Sequence, residues 1–177
     1  MTFIRLKTFI LLMSVILPSY AYGQKEWALN QPIVEGKSMV GIKLGDSESD
    51  VFKALGFPDK IESNFMTEAP PSWQSLKFLL YGLDKDDGLF IFTRDGKVEV
   101  IQLLWSGQGT PAYKGKTSKD IGVGDSMDNV KRQYGECEMS RGICWYKKHG
   151  ISLGGDKVVT FILIAQPGRE LPDYLER

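Results

Sequence analysis

A short motif occurs twice in this chain, and the repetition limits the possible folds more than any other sequence feature. The segment 41–56 recurs at 120–135, with the same Gly-Asp-Ser at 45–47 and 124–126 and the same final glycine. Similarity between two parts of one chain indicates that one supersecondary unit is used twice. The sequence therefore predicts two tandem units, a first over 36–109 and a second over 110–169.

Each copy of the motif contains, at its Gly-Asp-Ser, residues that suit the start of a helix. Side-chain oxygens of Ser and Asp accept hydrogen bonds from the free N–H groups of a first helical turn. We expect short helices over 47–55 and 126–134, each ended by a glycine. The predicted helix caps are Asp46, Ser47, Asp125 and Ser126.

Apolar runs separated by turn residues follow each predicted helix and indicate strands. Asp95-Gly96 suits a tight hairpin turn between two of them. We expect an α+β fold of two tandem repeats, each a short helical segment packed on an antiparallel β-meander. The predicted strands are 60–65, 76–81, 89–93 and 98–105 in the first unit, and 136–139, 143–147, 151–153 and 158–165 in the second.

The first 23 residues have the order of a secretory signal peptide. Two cations precede the apolar run 8–17, and small residues at 19 and 21 then allow cleavage after Ala21 or Gly23. The run is shorter than the roughly 20 residues that a membrane span needs. No cysteine near the cut offers a lipid anchor. We expect a mature periplasmic or secreted protein that ends in a charged tail over 170–177.

The two cysteines of the chain, Cys137 and Cys144, are predicted to form a disulfide. An even number of cysteines in an exported chain favours pairing. The segment between them is typical of a hairpin with its turn at 140–142. We expect the two cysteines to lie opposite each other on the arms of this hairpin.

Charge and residue content argue against several function classes. The 22 cations balance 22 anions, and removal of the leader leaves 20 against 22, so nucleic acid is not an expected partner. Asp84–Gly88 resembles the start of a calcium loop, but its glycine comes one residue early. His149 belongs to a turn and is expected to be exposed. We therefore expect no catalytic residues, no metal and no cofactor.

Aromatic residues outside the predicted strand interiors are the candidate binding residues. Exposed Trp and Tyr side chains often anchor protein interfaces. The alternative is that they cover sheet edges or pack the two units together. Trp145 alternates with Cys144 and Tyr146, which favours packing within a sheet. The candidate interface residues are Trp73, Trp105 and Tyr113.

The pattern Ile-x-Leu-Gly-Asp-Ser-x-x-Asp-Val over 42–51, ending in Leu-Gly-x-Pro, resembles bacterial envelope modules. These are the SmpA/OmlA-like assembly lipoproteins and the β-lactamase-inhibitor-protein-like tandem domains. The resemblance implies a helix packed on an antiparallel sheet that often binds another protein. We therefore expect an exported, non-enzymatic protein-binding module without a membrane span. The alternative is a small envelope hydrolase or ligand-binding protein, and the oligomeric state stays open.

Overall fold

The computed structural model describes residues 28–63, 76–84, 87–140 and 142–169. Strands dominate these ranges, and the helices in them are eight residues long. The elements are β1 (Ser38–Met39), β2 (Ile42–Lys43), α1 (Glu48–Leu55), β3 (Lys60–Ser63), β4 (Lys77–Asp84), β5 (Asp87–Arg94), β6 (Lys97–Leu104), α2 (Met127–Tyr134), β7 (Glu138–Ser140), β8 (Ile143–Tyr146), β9 (Ile151–Gly154) and β10 (Phe161–Ala165).

Eight of these strands form one antiparallel sheet. Their order is β3-β4-β5-β6-β10-β9-β8-β7, while β1 and β2 pair separately as a small ladder. The two halves of the large sheet join where β6 pairs with β10, from Leu104 opposite Phe161 to Val100 opposite Ala165. Neither β6 nor β10 is therefore an edge strand.

This continuous sheet contradicts the expected fold class. In the described ranges the protein is a mostly antiparallel sheet with two short helices, α1 and α2, and it is not an α+β chain of two helix-on-meander repeats. The reason is the β6–β10 pairing. A meander that ended at β6 would leave a long apolar strand with unpaired backbone groups, and pairing with β10 removes that edge.

The local elements lie close to their predicted places. The eight strands of the large sheet overlap the eight predicted strands, and α1 and α2 begin one residue after the predicted starts. The ladder of β1 and β2 was not predicted. Its strands have two residues each, and they are joined by Val40 and Gly41, both with positive φ. Such a short element has no detectable periodicity.

Both helices pack against the same face of the sheet. Val51 of α1 and Val130 of α2 are fully buried in one cluster with sheet residues such as Leu79, Ile101 and Ile162. Isolated helices of eight residues are not stable in water, so this packing holds them. We call this face of the large sheet the helix side.

Two tyrosines connect the helix ends to the sheet. The Tyr81 hydroxyl donates to the carbonyl of Gly56, which follows α1, at 3.2 Å. The Tyr146 hydroxyl donates to the carbonyl of Gly135, which follows α2, at 3.3 Å. Each bond satisfies a carbonyl at a helix end that has no partner within the helix. The two helices are thus fixed to the sheet in the same way.

Glu48 in the first turn of α1 adds a polar connection to the sheet. Its carboxylate accepts hydrogen bonds from Lys77 Nζ at 2.6 Å and from Thr93 Oγ1 at 2.7 Å. Burial raises the pKa of this carboxyl, but the two hydrogen bonds outweigh it and the net pKa lies below the usual value. The charged form of Glu48 therefore stabilises the fold.

The segment before β1 is held against α2. The Glu35 carboxylate accepts hydrogen bonds from the Tyr134 hydroxyl at 2.7 Å and from Ser118 Oγ at 2.9 Å. Ile33 N–H also donates to the carbonyl of Lys116 at 2.9 Å. Residues from both halves of the chain are therefore fixed together. Within the described ranges, no helix is both long and apolar enough to cross a bilayer.

Candidate functional site

The two predicted cap serines are the N-cap residues of the helices. Ser47 Oγ accepts from the N–H of Asp50 at 3.2 Å, and Ser126 Oγ accepts from the N–H of Asn129 at 3.1 Å. Asp50 also accepts from the Ser47 N–H, which completes a capping box. Both serine hydroxyls therefore have a structural partner.

The aspartates before them bond in the opposite direction along the chain. Asp46 Oδ2 accepts from the N–H of Lys43 at 2.8 Å, and Asp125 Oδ2 accepts from the N–H of Gly122 at 2.7 Å. The prediction that these side chains cap the first helical turn is wrong. They close the preceding turn instead, since a short Asp side chain readily bonds to nearby backbone.

The Cys137–Cys144 disulfide is present, with 5.3 Å between the Cα atoms. The expected position of the two cysteines is wrong, however. Met139 lies opposite Cys144 in the β7–β8 ladder, and Cys137 precedes β7. Cys144 is fully buried on the helix side. The bridge therefore joins the entry to β7 to the core, and it does not link two paired positions of a hairpin.

The candidate interface residues have different surroundings. Trp73 lies outside the described residues. Trp105 is half-buried at the end of β6, and its indole N–H donates to the carbonyl of Gln108 at 3.0 Å. Tyr113 is 2% exposed, and its hydroxyl donates to the carbonyl of Gln31 at 2.7 Å. Tyr113 is thus a core residue and offers no surface to a partner, contrary to expectation.

The segment that resembles a calcium loop is described only in part, because residues 85–86 lie outside the described ranges. The Asp87 carboxylate accepts from the N–H of Ala112 at 3.0 Å and is 9% exposed. Its oxygen therefore holds the chain that follows β6. Within the described residues, no three His, Cys, Asp or Glu side chains converge as a metal site.

The face of the sheet opposite the helices carries a second apolar cluster. We call this face of the sheet the helix-free face. Side chains of five strands form it, and the ladder registers place them in rows across the sheet. Its members are Phe78, Leu80, Phe90, Phe92, Val100, Gln102, Leu104, Ile143, Trp145, Phe161, Leu163 and Ala165.

Val100, Leu163 and Ala165 of the helix-free face are fully buried, so the middle of this face is not open to solvent. The buried members of its cluster come from strands of the sheet itself and from Leu76, which precedes β4. Leu80, Phe90, Leu104 and Ile143 are only partly buried. An antiparallel sheet usually has one apolar and one solvated face. A sheet with two apolar faces has a second surface to cover, and here α1 and α2 cover only the first.

The exposed part of this face contains a shallow depression. Gly82 lies opposite Gly88, which in turn lies opposite Leu104, so two neighbouring strands have no side chain at this point. Leu80 and Phe90 form the border of the depression. A Cβ atom placed on Gly88 would lie 3.1 Å from the Phe90 ring and 3.9 Å from Leu80. The Phe90 ring thus lies close to Gly88, whereas the neighbouring Gly82 is exposed.

The helix-free face also carries polar groups, among them the indole of Trp145 and the carboxylate of Glu99. The buried indole N–H of Trp145 has no hydrogen-bond partner among the described residues, an arrangement that costs free energy. At one end of the face, Glu99 binds Arg94 at 2.9 Å and Arg169 at 2.7 Å. Burial raises the pKa of Glu99. The two guanidinium groups lower it by more than burial raises it, so its net pKa lies below the usual value.

The sequence contains a signal for this surface that periodicity alone did not reveal. Strands exposed on one face alternate apolar and polar residues, whereas strands buried on both faces are continuously apolar. Residues 78–81, 89–92 and 161–165 are continuous apolar runs. These runs distinguish the middle of the sheet from a meander that exposes one face to water.

No protein-family model matches the sequence, and no curated protein matches it. Solved structures that match this chain include two bacterial proteins. A cysteine-rich secretory protein from Staphylococcus aureus has a TM-score of 0.48 and 12% identity over 77% of this chain and 48% of its own. An extracellular SCP-domain protein from Bacillus anthracis has a TM-score of 0.46 and 11% identity over 71% of this chain and 44% of its own. This chain thus spans about half the length of each, and these values carry no conclusion about function.

Proposed function

We propose that this chain is an exported, non-enzymatic module that binds another protein on its helix-free face. The observation that carries the proposal is the depression over Gly82 and Gly88, bordered by Leu80, Phe90 and Leu104. It lies where this face is least buried, since Leu80, Phe90 and Leu104 are only partly buried. Export is supported by the leader-like first 23 residues and by the disulfide.

The chemistry of the depression favours a polypeptide partner with an apolar anchor side chain. Interface energy concentrates in a few aromatic or aliphatic anchors that fill pockets and exclude water. Phe90 supplies an aromatic border, and the neighbouring Gln102 supplies an amide that can donate and accept at the rim. A partner that places an apolar side chain over Gly82, beside Leu80 and Phe90, and a backbone amide near Gln102 satisfies both features.

The test is site-specific photo-crosslinking in the native host. A photo-reactive phenylalanine analogue at position 90 should give a discrete adduct with one partner. The same analogue at Lys131, an exposed position on α2, is the matched control and should not. Equal adducts at both positions, or none at position 90, would contradict the proposed surface.

A second variant fills the depression while preserving the fold. Gly82 lies in a strand without a positive φ, and among the described residues a Cβ atom there meets only Asp59 Oδ2, at 3.4 Å. Gly82→Val should therefore fold, because valine suits a strand. It should abolish the adduct at position 90, since the new side chain occupies the place of the partner's anchor. An undiminished adduct in a folded Gly82→Val protein would argue against the depression as the docking site.

A further inference from the structure

An open edge of the large sheet supports an inference that is independent of the helix-free face. β3 is the outermost strand and, among the described strands, pairs only with β4. Its residue Ile61 is 51% exposed. An edge strand presents unpaired backbone N–H and C=O groups that another strand can join. The identity of that strand follows from the side chains of β3.

The side chains of β3 lie on two faces with different character. Ile61 lies opposite Leu79, a helix-side core residue, so Ile61 is on the helix side. Lys60 and Glu62 are on the other face, where they form an ion pair. Phe57, between α1 and β3, is 83% exposed with its ring 5.4 Å from that of Phe52. This edge thus combines one apolar position with one cation and one anion.

This order of side chains is self-complementary in an antiparallel arrangement. If a second copy pairs so that Ile61 faces its own equivalent, each Lys60 faces the Glu62 of the other copy. A register centred on Glu62 or on Lys60 would instead place like charges opposite each other, which is destabilising. A register centred between Ile61 and Glu62 would place the apolar side chain opposite a carboxylate. The pairing centred on Ile61 is therefore the favoured one of these four.

We propose that β3 is a homodimer edge, where two copies pair antiparallel about a two-fold axis through Ile61. The interface is isologous, as in most homodimers, and continues the sheet from one copy into the other. It buries the exposed Ile61 against its equivalent. Since the ladder is only four residues long on each side, the dimer is weak and depends on concentration.

The charge pairs give a test that separates recognition from folding. Sedimentation velocity over a concentration series should show a monomer–dimer equilibrium for the mature protein. Lys60→Glu turns both symmetric charge pairs into repulsive ones and should weaken the dimer about tenfold. Glu62→Lys should do the same. The double exchange Lys60→Glu/Glu62→Lys restores opposite charges across the axis and should restore the dimer.

A cysteine at the axis tests the register directly. In an antiparallel pair the Cα atoms directly opposite each other lie about 4.5–5.5 Å apart, which is within disulfide range. Ile61→Cys should therefore give a covalent dimer under mild oxidation. Ser63→Cys is the control, because its equivalents would lie roughly 14 Å apart at about 3.4 Å per residue.

Three results would overturn the proposal. One is a monomer at every concentration. Another is a dimer that neither single charge reversal affects. The third is equal cross-linking through the cysteines at positions 61 and 63. Photo-crosslinking at position 90 is a separate readout, so the dimer and the proposed partner surface can fail independently.

Discussion

Reduction of the disulfide should destabilise the protein by an amount that follows from the size of the closed loop. Cys137 and Cys144 are separated by 7 positions in the chain. In the chain-entropy description, a loop of about eight residues contributes about 2.5 kcal/mol at 25 °C by restricting the unfolded ensemble. The chain-entropy description assigns this difference to the unfolded ensemble, so comparing the oxidised with the reduced protein measures the effect of the cross-link.

Urea unfolding with and without a reducing agent measures this effect. For a slope near 2 kcal/mol per molar, a loss of about 2.5 kcal/mol lowers the midpoint by roughly 1 M. The double variant Cys137→Ala/Cys144→Ala is the control, and its midpoint should not respond to the reducing agent. Intact-mass analysis should find the oxidised wild type about 2 Da lighter than the reduced form.

The reasoning fails if oxidised and reduced wild type unfold at the same urea concentration. It also fails if the double variant responds to reductant as the wild type does, since the effect would then not come from the bridge. A free-thiol assay on the exported protein gives a third check. Two titratable thiols in the native sample would contradict the pairing.

Three further predictions concern the helix ends, acid stability and export. Ser47→Ala and Ser126→Ala should each cost about 1 kcal/mol in urea unfolding, because each leaves an N–H of the first turn unsatisfied; no loss in either variant would contradict the cap. The pKa of Glu48 is lowered by folding, so its stabilisation is present above the unfolded pKa and is lost as the pH falls through the folded value. Glu48→Gln should therefore flatten the loss of stability with acid, and parallel pH curves for both proteins would refute this. N-terminal sequencing of the exported protein should begin at residue 22 or 24, and an intact leader would exclude cleavage.

The success of the local predictions has a physical explanation. Ser47 and Ser126 cap helices because their partners lie three residues away in the chain. The hairpin at Asp95-Gly96 forms because two adjacent residues with positive φ suit a tight turn. Interactions of this range are encoded in a few neighbouring residues and can be recognised in the sequence.

The predictions that failed concern the direction of a side-chain hydrogen bond and the burial of an aromatic side chain. The local sequence patterns do not specify either. Asp46 was expected to bond forward to the helix, but the turn before it brings the N–H of Lys43 within 2.8 Å. Tyr113 was expected at the surface because it lies in a linker, but the linker folds into the core, where Gly115 leaves room for the tyrosine ring. Both outcomes depend on where non-neighbouring backbone lies.

The sequence alone determined the eight strands of the large sheet, the short helices, their serine caps and the pairing of the only two cysteines, because each depends on local patterns or on residue counts. Only the tertiary structure decided that β6 pairs with β10, and with it the single sheet, its helix-free face and the open edge at β3. Which strand pairs with which depends on segments that are far apart in the chain. It depends on which apolar faces and backbone edges can be covered together, and no single segment contains that information.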